Sequence, residues 1–149
     1  MLTRNGYTVR EPDSTALATF HRHGVPFKVW APATPAFAWL TTFLHAVEPV
    51  TEAGWDGGYA YRKIGTSGVW SEHAAGVAID WNASQHPQGA AKSAGWTKSQ
   101  VDTIEWMLTH TLKGSFFEWG GHWSTPDSMH FQLRHIDKWN RPENPWKAP

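Results

Sequence analysis

Apolar positions recur at helical spacing in two stretches of the chain and alternate with polar ones in several shorter pieces. Phe37, Leu40, Leu44 and Val47 step by three or four residues, which lines them along one face of a helix. Thr34 offers a cap, Pro35 suits the first turn, and Pro49 closes the run, so a helix is predicted from Thr34 to just before Pro49. Val101, Ile104, Leu108 and Leu112 form a second stripe. Thr97, with Gln100 three residues on, predicts a capping box at its start, and Gly114 predicts its end. A shorter segment, 14–23, stopping at Gly24, reads as a further helix. Strand-like pieces fall at 26–30, 59–64, 76–81, 116–120 and 129–133, separated by turn-forming residues at 54–58, 65–68 and 84–89. The pattern is that of an α+β fold, a small antiparallel β-sheet packed with about three helices. Residues 1–136 read as one domain. Residues 137–149, rich in Pro and polar groups, read as a C-terminal tail or linker stub, so that further domains could follow in a longer chain.

Composition narrows the chemistry. A length of 149 residues suits a single adequate core. Thirteen Lys and Arg balance 13 Asp and Glu, so no strong field draws nucleic acid or an anionic membrane. The chain has no run of about 18 apolar residues, which argues against a membrane span. Its opening residues lack the apolar stretch of a signal peptide. It has no cysteine, so a metal would have to be held by His and carboxylate groups. The 11 Trp suit both core packing and stacking on a ligand.

Two segments carry groups fit for such a site. In Ser71–Asp80, "SEHAAGVAID", His73 and Asp80 bracket small and apolar residues. In "TPDSMHFQL", Met129, Phe131 and Leu133 alternate with His130 and Gln132, so His130 projects from the face opposite the core. Val77, Ile79 and Trp81 likewise turn away from Asp80. Two imidazoles and one carboxylate from neighbouring strands make a three-ligand zinc site with a fourth position for water. Asp127, three residues before His130, stands where a carboxylate could take a proton from that water. Gly76 allows the backbone to turn tightly beside the ligands. Each residue also has an ordinary reading taken singly. Asp80 could cap a strand end, Asp127 could serve a turn, and Arg62 could pair on the surface.

Together, "SEHAAGVAID" and "DSMHF" resemble the LAS or M15 family of zinc peptidases, whose pattern is SxHxxGxAxD followed by an acidic residue three positions before a last His. "NGYTV", "GYAYRKI", "AIDWNASQHPQG" and "FEWGGHWSTPDSMHF" are similar to the peptidase modules of bacteriophage endolysins, and the similarity runs from about Asn5 to Leu133. The resemblance implies a Hedgehog/DD-peptidase-like fold and a Zn2+ cofactor held by His73, Asp80 and His130. It implies Asp127 as general base and Arg62 as the cation for a polarised carbonyl or a substrate carboxylate. It also implies Ser71 as a hydrogen-bonding group of the site, while Trp123 and His122 are candidate substrate contacts. The chain departs from relatives at Ser128, His122 and Gln132, where some carry His, an acidic residue and Glu respectively. Those changes bear on specificity and on the surroundings of the ligands.

The expected activity is hydrolysis of the stem peptide of bacterial peptidoglycan, first as an L-Ala–D-Glu (or D-isoglutamine) endopeptidase. The alternatives are a D-Ala-D-Ala carboxypeptidase and a non-catalytic zinc-bearing module that binds peptidoglycan. An enzyme of this kind without a signal peptide is expected to collect in the host cytoplasm and to reach the wall through a membrane pore made by another protein.

Overall fold

The computed structural model describes residues 1–52, 57–91 and 93–147. Its elements follow in the order β1 (Leu17–Arg22), β2 (Val25–Trp30), α1 (Thr34–Val47), β3 (Ala78–Asp80), α2 (Lys98–His110), β4 (Phe117–Trp119), β5 (His130–Leu133) and α3 (Ile136–Trp139), joined by short 3-10 turns. The fold is α+β, with two antiparallel sheets in place of the single one expected. One is the β1–β2 hairpin, and the other has the strand order β3-β5-β4.

The segment 14–23 is not a helix. Residues 17–22 form β1, paired with β2 from Leu17↔Trp30 to Arg22↔Val25. Only His23 and Gly24 separate the strands, with φ of 47° and 79°. Positive φ at both central residues is the tight turn whose twist matches a hairpin. Phe20 then stacks on Phe27 across the pair, with ring centroids 5.6 Å apart.

The other two helices lie where the apolar spacing predicts them. α1 begins at Thr34, but Ala33 occupies the cap position, and the Thr34 hydroxyl is buried without a hydrogen-bond partner among the described residues. In α2 the capping box forms in both directions. Thr97 Oγ1 accepts from Gln100 N at 3.2 Å, and Gln100 Oε1 accepts from Thr97 N at 2.9 Å. This helix ends at His110, four residues before Gly114, because Thr111 is already extended. Leu112 is therefore 55 % exposed, and Met107 joins Ile104 and Leu108 on the buried face. Among the described residues, 59–64 form no strand, and their ladder contact is a single bridge, Lys63↔Trp70. The expected turn at 54–58 lies partly outside the described residues.

One continuous core joins Phe27 and Val29 of β2, Phe37, Leu40 and Leu44 of α1, Ile79 of β3, Ile104 and Met107 of α2, Phe117 and Trp119 of β4, and Phe131 and Leu133 of β5. The segment after β5 lies along this body. Trp139 is buried against Trp30, and Trp146 sits 5.9 Å from Trp39, ring centre to ring centre. Among the described residues no helix is long and apolar enough to cross a membrane.

β5 is the central strand of its sheet and is buried on both faces. Its alternation therefore separates core-facing residues from site-facing ones, both out of solvent. Phe131 and Leu133 enter the core, while His130 and Gln132 take the other side.

Candidate metal centre

Strand pairing brings the distant ligand candidates together. The β3–β5 register sets Asp80 directly opposite His130. His73 arrives from the 3-10 turn Glu72–Ala75, which Ser71 caps by accepting from His73 N at 3.2 Å. Gly76 ends that turn at φ +71°, and a Cβ there would fall 2.6 Å from the Trp30 backbone nitrogen. The turn thus reverses against β2 at a position that only glycine fits, and the chain passes straight into β3.

The three inner atoms form a nearly equilateral triangle. His73 Nε2 lies 3.2 Å from His130 Nδ1 and 3.4 Å from Asp80 Oδ1, and His130 Nδ1 lies 3.3 Å from Asp80 Oδ1. All three residues are buried. The outer nitrogens reveal which atoms carry protons. His73 Nδ1 stands 2.6 Å from the carbonyl oxygen of Gly58, and His130 Nε2 stands 2.6 Å from Gln132 Oε1. Each outer partner only accepts, so each outer nitrogen donates, and a neutral ring then turns a lone pair inward. Two lone pairs and a carboxylate oxygen converge, and Asp80 Oδ1 receives no hydrogen bond from the described residues. Such a group repels itself unless a cation or a bound proton sits among the three atoms.

The triangle also fits a particular ion. Ligand atoms about 2.0–2.1 Å from a tetrahedral zinc stand roughly 3.3–3.4 Å apart, which matches the three edges here. His, His and Asp without sulfur is a ligand set of the kind found in open zinc sites.

The charges respond to this packing. Burial opposes ionisation of Asp80, but the imidazoles of His73 and His130 outweigh it and hold the carboxyl well below the usual carboxylate range. Burial also opposes charge on His130, yet the adjoining carboxylates of Asp80 and Asp127 raise its pKa on balance. At Asp127 burial dominates and pushes the carboxyl up, partly offset by the positive potential of His130, His73 and Arg62. Asp127 Oδ1 is buried and has no hydrogen-bond partner among the described residues. A carboxylate so placed is a stronger base than one in water.

The 127–130 turn is held from three sides. Ser128 O accepts from both Trp96 Nε1 and Trp119 Nε1 at 2.9 Å, and Asp127 N donates to Gly120 O at 2.9 Å. A Cβ on Gly120 would lie 2.4 Å from the Asp127 carbonyl oxygen. Gly120→Ala is accordingly expected to destabilise the ion-free protein by about 1–3 kcal/mol, as overpacking does. Denaturant unfolding measures it, and a midpoint equal to that of the parent chain would contradict this account of the turn.

The remaining candidates occupy different places. Trp123 is 37 % exposed, with its ring 5.2 Å from that of His130, so it borders the cluster on the solvent side. Arg62 is exposed on the 60–70 segment, whose backbone joins the site through Ser71 N donating to Arg62 O at 3.1 Å. Ser71 is buried and engaged as the cap. His122 pairs with Glu105 of α2 at 3.0 Å.

Sequence reasoning missed the groups behind the ligands: the Gly58 carbonyl, Glu118, Asn5 and the buried Glu72. Asn5 N donates to Glu72 Oε1 at 2.9 Å, and burial raises the pKa of Glu72. Glu72 sits inside the first motif, but nothing in local spacing marks its side chain as buried. Asn5 and Glu118 are 113 residues apart and meet only in the folded chain.

Residues 64–133, a little under half of the chain, match the model of an M15 peptidase family described as D-alanyl-D-alanine carboxypeptidase. The matched segment contains the whole triangle and Asp127, and it supports a peptidase. No curated protein and no solved structure matches the chain significantly.

Proposed function

We propose that this protein is a zinc-dependent peptidase of bacterial peptidoglycan that cuts the stem peptide at the L-Ala–D-Glu (or D-isoglutamine) bond and works as a phage endolysin. The observation that carries this reading is the inward triangle of His73, Asp80 and His130, lying within a segment that matches a peptidase family. Bound there, a zinc ion supplies Lewis acidity toward a carbonyl oxygen and lowers the pKa of water.

The chain's own residues do the rest. Asp127, buried beside the triangle, accepts a proton from the attacking water and returns it to the departing amine. Arg62 offers a permanently charged guanidinium to the carbonyl oxygen as negative charge develops there. Trp123 gives the peptide a flat apolar wall beside His130. Ser71 serves through its cap, which holds His73 in place. His122, 3.0 Å from Glu105, is a further candidate substrate contact. The enzyme would gather in the host cytoplasm and meet its substrate once a membrane pore opens.

The description of the matched family favours a second reading, a D-Ala-D-Ala carboxypeptidase. Mass spectrometry of the products from purified walls separates the two. Endopeptidase action leaves a new N-terminus at D-Glu or D-isoglutamine, whereas free D-Ala as the product would replace the first reading with the second. A non-catalytic binding module fits less well, because it has no use for a buried carboxylate beside the ligands with one oxygen that meets no donor among the described residues. Intact walls after incubation with zinc-loaded protein would favour that module.

A further inference from the structure

Behind His130 lies a chain of hydrogen bonds that ends on a carboxylate. His130 Nε2 meets Gln132 Oε1 at 2.6 Å, and Gln132 Nε2 donates to Glu118 Oε1. Glu118 Oε1 also accepts from Asn5 Nδ2 at 3.0 Å, and Asn5 Nδ2 donates in addition to Leu133 O at 2.9 Å. Gln132 is buried, so water does not compete for its amide.

An amide has two ends of opposite character, and a rotation of half a turn exchanges them. If Gln132 were reversed, its NH2 would face His130 Nε2 and its oxygen would face the Glu118 carboxylate. The ring would then keep its proton on Nδ1, pointing at His73 and Asp80, and would have no lone pair for an ion. Glu118 forbids this reversal, because a carboxylate accepts and cannot donate. Asn5 in turn holds Glu118 with an amide whose NH2 already serves two acceptors.

We propose that Glu118 is a positioning residue for the metal centre. Its carboxylate fixes the direction of the Gln132 amide, so that Gln132 takes the Nε2 proton of His130 and leaves Nδ1 as the inward lone pair. This inference rests on the zinc reading for its purpose, although the tautomer itself is a property of the ion-free protein. The orienting task exists only while residue 132 is an amide. A carboxylate at 132 accepts from His130 Nε2 whichever way it is turned, and Glu118 then has nothing to orient.

The test uses four full-length proteins: the parent chain, Glu118→Leu, Gln132→Glu, and the double variant. Zinc affinity is read by competition with a chromophoric chelator. The His130 ring tautomer is read in the ion-free proteins by long-range 15N NMR at a pH where the ring is neutral. With Gln132 present, Glu118→Leu is expected to weaken zinc binding by roughly 10–100-fold and to move His130 toward the Nδ1–H tautomer. With Glu at 132, the same Glu118→Leu change removes a carboxylate that crowds the new one, so it is expected to leave His130 in the Nε2–H tautomer and to cause no loss of zinc affinity. A merely structural role for Glu118, such as anchoring Asn5, predicts equal losses in both backgrounds, and that result would overturn the proposal. So would an unaltered tautomer in Glu118→Leu. A parent chain that binds no zinc but shows the Nε2–H tautomer and its loss in Glu118→Leu would sink the metal reading and keep the orienting role.

Discussion

Asp127→Ala is expected to abolish wall hydrolysis while leaving zinc in place. The lost general base corresponds to a fall of roughly 10²–10⁴ in rate. Asp127 is not one of the three inward atoms, so the triangle of His73, Asp80 and His130 survives its removal. The loss should appear in kcat at nearly unchanged zinc affinity. Turbidity of a cell-wall suspension measures the rate, and the chelator competition measures the affinity. Full lysis by Asp127→Ala would remove this residue from the mechanism, since no reading that makes it the base tolerates its absence.

The second large effect is the dependence of stability on the ion and on pH. Zinc at a concentration 1,000 times its dissociation constant stabilises the folded state by about 4 kcal/mol. For a domain of this size each kcal/mol moves Tm by roughly 2–4 °C, so the zinc-loaded and chelated proteins should differ by roughly 8–16 °C. The gap should widen as pH rises, for two reasons. His130 has a raised pKa in the ion-free fold. Its contribution is present in full below the unfolded value of about 6.5 and is lost as pH climbs through the folded value. Zinc, in contrast, needs both imidazoles neutral and gains affinity over the same interval. Asp80 has a depressed pKa, so its contribution holds above about 3.9 and disappears only in strong acid, as pH falls through the folded value. Thermal melts with zinc and with chelator, taken between pH 5.5 and 8, check the trend. A gap that narrows toward pH 8 would contradict the ligand assignment. His73→Ala and Asp80→Ala should show no zinc-dependent gap at any pH.

Much of the architecture could be read locally. The α2 capping box is written in Thr97 and Gln100, and its two hydrogen bonds form between those residues whatever surrounds them. Pro35 and the spacing from Phe37 to Leu44 sufficed for α1, because a helix buries one face at a fixed period. The β1–β2 hairpin was harder. Ala18, Leu17 and Phe20 are compatible with a helix, and His23-Gly24 is not the usual turn pair. Pairing with β2 and stacking on Phe27 decided the outcome, a case of tertiary contacts overriding local preference. Leu112 continued the helical period on paper but fell beyond the turn at Thr111, where the chain leaves the helix.

The candidate metal centre divides in the same way. By itself the sequence determined the inventory: two imidazoles and a carboxylate, in motifs with small residues where the backbone must turn, and no cysteine thiolate to compete for an ion. It also determined which faces of β3 and β5 carry them, because side chains alternate along a strand. Only the tertiary structure decided that Asp80 and His130 stand opposite each other, since register belongs to the strand pair. Only it decided which nitrogen of each ring faces inward, since that depends on the Gly58 carbonyl and on the Gln132–Glu118 pair, brought from far along the chain. The physical reason is one of range. Propensity, capping and period act over a few residues, whereas a proton's position on a buried ring is set by whatever acceptor the fold delivers to it.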